Sequence, residues 1–205
     1  MAESLRAVVV TDPQADAAAV VRVCDRALGG GADAILLRRP SATARELFDL
    51  ARVLRALARV AGARLLVHDR CDVAVAVGAD GAHLSARSLP AASARRVLGR
   101  SMLLGCSVHN LDEAGQAEEA GADYLLLGPV FATPSHPGAT PLGVATFREA
   151  VLRAHVPVLA IGGVDVESVG VVAGAGGTGA AAISAFAGAA DPAETARRFR
   201  AAFGS

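Results

Sequence analysis

Four stretches of this chain share one form: glycine and alanine, then a short polar residue, then an apolar run. "GGADAILLR" begins at Gly30, "VGADGAHLS" at Val77, "AGADYLLLG" at Ala120, and a looser copy, "AGAGGTGAAAIS", at Ala173. Each comes after a segment with helical periodicity. Glycine just past a helix end supplies the left-handed conformation that closes it, so each stretch reads as a helix-to-strand loop. Self-similarity of this kind marks a repeated supersecondary unit and limits the architectures open to the chain.

Between the copies lie four more apolar runs, "AVVVT" (7–11), "RLLVH" (64–68), "LLGCSV" (103–108) and "PVLAIGG" (157–163), which makes eight strand candidates. Helical patterns follow them. "ARELFDLARVLRALARV" (44–60) sets Leu47, Leu50, Val53, Leu54 and Leu57 at helical spacing, and "NLDEAGQAEEA" (110–120) reads likewise. The strands are continuous apolar runs, as expected when both faces of a parallel sheet are buried. Eight strand-helix units predict an α/β protein, a single (β/α)8 TIM barrel over residues 1–205, with an open doubly wound sheet as the alternative. Hydrophobic residues make up 53% of the chain and aromatic ones 3%, so the predicted core is built from Ala, Val and Leu.

The 20 basic and 20 acidic residues cancel, which removes any electrostatic reason to expect nucleic acid or an anionic membrane as a partner. No apolar run reaches the ~18 residues of a membrane span, and "MAESLRAVVV" lacks a signal-type pattern. A cytoplasmic protein is expected, and a homo-oligomer is compatible with the sequence. Cys24, Cys71 and Cys106 show no metal-type spacing. Cys24 and Cys106 read as buried reduced thiols.

Barrel chemistry sits at the C-terminal ends of strands and in the loops after them. Those ends carry Thr11 and Asp12; Arg38 and Arg39; His68, Asp69 and Arg70; His83 and Ser85; Ser107 and His109; Thr133 to His136; Gly162 and Gly163; and Ser184. The glycines of "AIGGV" and the Ser184 segment follow the seventh and eighth strands, where barrels often bind phosphate. "GPVFATPSHPGATPLG" (128–143) is stiffened by four prolines and places Thr133, Ser135 and His136 beside that predicted site. "GAGGTG" (174–179) matches a dinucleotide fingerprint only in letters, because it follows a helix and precedes a strand.

"VHDRCDVAVAVGADGAHLS", "GCSVHNLDEAGQAEEAGADYLLLGPVFATPSHPG", "PVLAIGGV" and "GAAAISAF" together resemble the thiamine phosphate synthase and TenI superfamily, from about Val8 to Phe203. Members are (β/α)8 barrels. The synthases join a hydroxymethylpyrimidine diphosphate to a thiazole phosphate and release diphosphate, with magnesium. TenI proteins bind the thiazole side, and those that are tautomerases isomerise a carboxylated thiazole phosphate. The resemblance implies a T-x-[ST] element at Thr133, Pro134 and Ser135, the second glycine of "IGG" at Gly163, and a phosphate-binding pair at Ile183 and Ser184.

On the pyrimidine side the pattern Q-x-R-x-K reads Leu36, Leu37, Arg38, Arg39 and Pro40. The Asn-Asp-Asp element reads His68, Asp69 and Arg70, which sets Arg70 at the metal-carboxylate position. The second metal position falls on Ser88, the loop lysine on His136, and Ser107 is retained with His109 in the S-x-H element. Arg38, His68, Asp69, Arg70 and Ser107 are thus the mouth or second-substrate group, and no metal site is expected. The resemblance leans to a metal-independent, TenI-like thiazole tautomerase. Pro129 stands where such tautomerases have their histidine, so His136 is the first candidate acid/base and His109 the second. The alternatives are a divergent synthase, which would require magnesium, and a non-catalytic protein that binds the thiazole phosphate.

Overall fold

The structure, a computed structural model, describes residues 5–133 and 138–204. Eight short strands in this range form one closed parallel barrel in chain order: β1 (Ala7–Val10), β2 (Ala34–Leu37), β3 (Arg64–His68), β4 (Gly81–Leu84), β5 (Leu103–Val108), β6 (Tyr124–Leu127), β7 (Val158–Ile161) and β8 (Gly179–Ala182). Around it run α1 (Ala17–Gly29), α2 (Ala44–Val60), α3 (Cys71–Val77), α4 (Ala91–Leu98), α5 (Leu111–Glu119), α6 (Gly143–Arg153) and α7 (Val169–Gly174). A short α8 (Ser184–Ala187) precedes the closing α9 (Pro192–Ala202). The (β/α)8 barrel predicted from the repeats is the observed fold, and the open sheet is excluded by the β1–β8 pairing. "GAGGTG" runs from the end of α7 to the start of β8, at the end of the barrel away from the mouth.

Two apolar layers hold this arrangement. Outward strand residues such as Ile35, Leu65 and Leu125 pack under the helices, while Val8, Leu36, Leu66, Tyr124, Leu126 and Leu159 fill the barrel itself. On α2 the buried stripe is Leu47, Leu50, Ala51, Leu54 and Ala58, and Val53 is half exposed. The predicted stripe is therefore rotated by part of a turn. The small side chains of Ala51 and Ala58 let the helix approach the sheet closely, so they occupy the face that the larger Val53 was expected to share. Thr43 and Glu46 close the start of α2 with a reciprocal capping box. Among the described residues no helix is long and apolar enough to cross a membrane.

The repeated Gly-Ala-Asp loops have a shared structural task. The carboxylate of Asp33 accepts hydrogen bonds from the backbone N–H groups of Arg6 and Ala7 at the start of β1. Asp80 accepts from Leu65 N at 2.8 Å in β3, and Asp123 accepts from Leu104 N at 2.8 Å in β5. The backbone N–H groups of the same three aspartates return bonds to Ala7, Leu65 and Leu104 carbonyls. Each carboxylate also faces an arginine: Arg200, Arg55 and Arg95 lie 3.7, 2.9 and 2.6 Å away. The looser fourth copy keeps only the neutral part, with Thr178 donating from its backbone and hydroxyl to Val158 O.

A bracket of this kind fixes the register of an even strand against the odd strand before it. Asp80→Ala removes a charge-assisted bond to a strand N–H together with the partner of Arg55. The expected loss is about 1.5–3 kcal/mol of unfolding free energy, read from urea denaturation. A change below ~0.5 kcal/mol would show that the bracket does not hold β3 to β4.

Candidate active site

The C-terminal ends of the strands surround a cavity of about 600 Å³, within the size range of small-molecule sites. Its floor is apolar, with Val10, Leu36, Leu126 and Ile161 among the lining residues. One wall comes from the ends of β7 and β8. Gly162, Gly163, Ile183 and Ser184 all line it, and Thr133 stands at its edge. Gly162 and Gly163 adopt φ of 86° and 69°, which side-chain-bearing residues rarely do. A Cβ on Gly163 would lie 2.4 Å from Ala132 O, and one on Gly162 would lie 2.6 Å from Pro129 Cα. The two glycines thus let the loop after β6 lie against the loop after β7. The residues predicted to bind an anion thus come from these two loops and the β8 end. Pro134, Ser135 and His136 lie outside the described residues.

Across the mouth, β2, β3 and β4 supply the charged groups. Thr11 is buried and exchanges two hydrogen bonds with the backbone of Arg38, at 2.8 and 3.1 Å, which fixes where the Arg38 side chain leaves β2. Arg38 and Arg87 both line the cavity. Neither guanidinium has an ion-pair partner among the described residues. Arg39 instead turns to Ala15 O. Asp69 is the single non-glycine residue with positive φ, 59°, among the described residues, a conformation Asp tolerates better than most residues.

Its carboxylate accepts from Ser85 N at 2.9 Å, from Ser85 Oγ at 3.1 Å and from Ser88 Oγ. His68 Nδ1 lies 3.3 Å away. Burial pushes the Asp69 carboxyl up, but the Ser88 and Ser85 hydrogen bonds and the nearby His68 outweigh it and leave it below the usual carboxylate range. Asp69 is therefore held ionised at the mouth. For His68, burial lowers the pKa, Asp69 opposes, and the Arg38 charge adds to the lowering.

One expectation about this wall is corrected. Arg70 does not line the cavity; it pairs with Asp72 at 2.6 and 2.9 Å on the outer surface. The chain leaves Asp69 in a left-handed turn, and that turn sends the next side chain away from the mouth. The carboxylate of this element that reaches the cavity is Asp69, and Ser88 serves it as a hydrogen-bond donor. Among the described residues there is no group of three or more His, Cys, Asp and Glu side chains arranged to hold a metal ion.

Deeper in the barrel lies a feature that sequence reasoning only half found. His83 Nε2 is 2.8 Å from Ser107 Oγ, and His83 Nδ1 is 3.1 Å from Tyr124 Oη. His83 and Ser107 were readable as strand-end polar residues. Tyr124 was not, because it opens its strand inside the apolar run "YLLL" and faces inward. Burial, with a smaller contribution from His68 and against the opposing charge of Asp69, lowers the His83 pKa to about 3, so the ring is neutral at ordinary pH. His109 sits at the rim, half exposed, with Nδ1 3.0 Å from Glu113. Cys24, Cys71 and Cys106 are free and buried. Burial pushes the Cys24 thiol up to about 12 and the Cys106 thiol up to about 11, leaving both unreactive.

A barrel whose strand ends enclose one cavity, lined by Gly162, Gly163 and Ser184 on one side and by Arg38 and Arg87 on the other, has the architecture of a small-molecule enzyme. The family model for thiamine monophosphate synthase (TMP-TENI) matches residues 7–186, and the chain belongs to that family. It is 47% identical to the thiamine-phosphate synthase of Moorella thermoacetica over 175 residues, covering 85% of this chain and 83% of that one. It is 43% identical to the thiamine-phosphate synthase of Chloroflexus aurantiacus over 180 residues, covering 87% and 83%. The solved structure of a thiamine phosphate pyrophosphorylase from Pyrococcus furiosus superposes with a TM-score of 0.88 at 36% identity, covering 97% of this chain and 95% of that one.

These relatives overturn the leaning toward a TenI-like tautomerase. With that reading goes the reason for assigning a proton shuttle to His136 or His109. Ligand positions judged one at a time suggested a lost synthase site, whereas the whole chain resembles synthases closely.

The buried imidazole gives a testable signature. Unfolding restores an ordinary histidine pKa near 6.5, while the folded state keeps His83 neutral down to about 3. Below pH ~6.5 the unfolded chain therefore binds a proton that the folded protein does not, and stability falls by about 1.4 kcal/mol per pH unit for this group. His68, also lowered, acts in the same direction. Urea denaturation between pH 7 and 5 should show this slope, and His83→Gln should flatten it by roughly one proton's worth. An unchanged slope in that variant would mean that His83 does not carry it.

Proposed function

We propose that the protein is a thiamine-phosphate synthase. It would join a hydroxymethylpyrimidine diphosphate to a thiazole phosphate. The thiazole ring nitrogen forms a C–N bond to the pyrimidine methylene carbon, the C–O bond to the diphosphate breaks, and diphosphate leaves with the bonding pair. The observation that carries this reading is the lining of one cavity by Arg38 and Arg87 on one side and by Gly162, Gly163, Ile183 and Ser184 on the other, two sets of groups that each suit an anion. A tautomerase has one phosphate to hold; a synthase has a phosphate and a diphosphate.

In this reading Gly162, Gly163, Ile183 and Ser184 cradle the thiazole phosphate, with Thr133 at the edge. Arg38 and Arg87 meet the diphosphate, where guanidinium forks suit phosphate oxygens. As negative charge builds on the leaving diphosphate, fixed cations already aimed at it favour the transition state over the ground state. Ser107 and His68 face the space between the two walls. The apolar floor of Val10, Leu36 and Leu126 supports the rings and excludes water that would compete with the thiazole nitrogen.

Magnesium fits this site only as an ion that takes most of its ligands from substrate phosphate and water, a common mode for this metal. Asp69 would hold it, since its carboxylate is ionised, faces the cavity and is oriented by Ser85 and Ser88. When bound, the ion would neutralise charge on the diphosphate. The phosphorylated thiazole partner and the cytoplasmic location expected from the sequence go with the same reading.

Purified protein supplied with both substrates and magnesium should form thiamine phosphate, with no product when either substrate is left out. Chelation of magnesium should lower the rate strongly. Arg38→Ala should raise the KM for the pyrimidine diphosphate roughly ten- to hundredfold, the loss of about 1.5–3 kcal/mol expected for a hydrogen bond to a charged group. Ser184→Asp should repel the thiazole phosphate and raise its KM instead. Binding of the thiazole phosphate without any product from both substrates would sink the synthase reading.

A further inference from the structure

Strand register lines up His83 with Gly105, and Gly105 with Tyr124. Because the central residue has no side chain, phenol and imidazole meet across it. A Cβ on Gly105 would lie 2.1 Å from Tyr124 Cζ and 2.5 Å from His83 Nδ1. The result is a hydrogen-bonded chain, Tyr124 to His83 to Ser107, that starts in the closed interior and ends at a cavity-lining hydroxyl. Tyr124 and His83 are each 1% exposed.

The direction of these bonds follows from finding an acceptor for every donor. A neutral imidazole carries one N–H. With that hydrogen on Nδ1, His83 would donate to Tyr124 Oη, and the phenolic proton would be buried with no other hydrogen-bond partner among the described residues. Such orphaned donors are rare in folded proteins. With the hydrogen on Nε2, Tyr124 donates to Nδ1, His83 donates to Ser107 Oγ, and both interior donors are used. Ser107 then accepts from the interior and keeps its own proton for the cavity.

We infer that Tyr124 and His83 are positioning residues that present Ser107 to the cavity as a hydrogen-bond donor, selecting an acceptor atom on the substrate. A ring nitrogen or a phosphoryl oxygen meets this demand, and an amino group does not. Burial keeps both interior links neutral, since it lowers the imidazole pKa and raises that of the phenol, so the polarity holds across the physiological pH range. The kinetic consequence rests on the proposed synthase reading; the bond direction does not.

The test therefore has two arms. In protein labelled with 15N-histidine, long-range proton–nitrogen correlation at pH 7 should show His83 as the Nε2–H tautomer, its signals assigned by their loss in His83→Gln. Tyr124→Phe should move the ring toward the other tautomer. An Nδ1–H tautomer in the unmodified protein overturns the inference, whether or not the variant folds. In steady-state kinetics, Tyr124→Phe should raise the KM for one substrate about five- to tenfold with kcat within about twofold.

The substrate affected tells which of them supplies the acceptor. In a Ser107→Ala background the same change should add less than about twofold. An effect of equal size in both backgrounds, or an unchanged KM, would overturn the assignment. Failure of the unmodified protein to form thiamine phosphate would count against the synthase reading and leave the tautomer to decide this one.

Discussion

Parallel strands need something other than a hairpin to set their register, and in this barrel a carboxylate does it. Asp33, Asp80 and Asp123 each sit just before an even strand, accept from a backbone N–H of the odd strand beside it, and return a backbone bond to the same strand. The arginines that face them come from α9, α2 and α4, so the surrounding helices are tied to the same points. A slip of one residue at any of these pairs would turn every inward side chain of a strand outward. The polar interior depends on this directly. Asp80 sets β4 against β3 and so puts His83 beside His68, with ring centroids 6.1 Å apart. Asp123 sets β6 against β5 and so puts Tyr124 beside Gly105.

What the register then achieves is a placement of polar groups by charge. Leu66, Leu126 and Leu159 fill the interior with aliphatic side chains. One neutral polar string, Tyr124, His83 and Ser107, runs among them and reaches the cavity at Ser107, while the charges of Arg38, Asp69 and Arg87 lie at the mouth. A charged group costs least where water or ligand can reach it, and the charges sit where that cost is lowest. His83 is tolerated at full burial because it is neutral and bonded at both nitrogens. Asp69 is tolerated as an anion because two serines and a histidine face its oxygens.

Much of this order could be read from the residues. Repeats, apolar runs and helix ends named all eight strands, the barrel rule then picked out Arg38, Asp69, Ser107, Gly163 and Ser184, and the family resemblance added Ile183; all of these line one cavity. Three things were not legible. Tyr124 looks like any apolar strand residue, since whether a strand residue faces inward or outward depends on pairing that a continuous apolar run does not encode. Arg70 looked like part of the mouth because its neighbours are; the positive φ of Asp69 redirects it, and non-glycine residues give little warning of that conformation. Arg87 has the same difficulty in reverse, as a loop residue whose direction only the closed barrel defines.

The choice of subfamily shows a related asymmetry. Departures at Arg70 and Ser88 weighed against a synthase when each was matched to a motif, and Pro129 against a tautomerase, yet the chain is 47% identical to a synthase-named relative over most of its length. The two observations are compatible because the barrel separates what it holds together from what it acts with. Strand brackets at the closed end cannot change without shifting register, so they constrain sequence along the whole chain. Loop positions at the mouth can change without disturbing any strand pair. Ser88 illustrates this: in place of a ligand it supplies a hydroxyl that orients the neighbouring carboxylate, so the local chemistry is rearranged while Asp69 still faces the cavity. Loss of a motif letter is therefore weak ground for assigning a new reaction when the geometry that letter served can be rebuilt by the residue beside it.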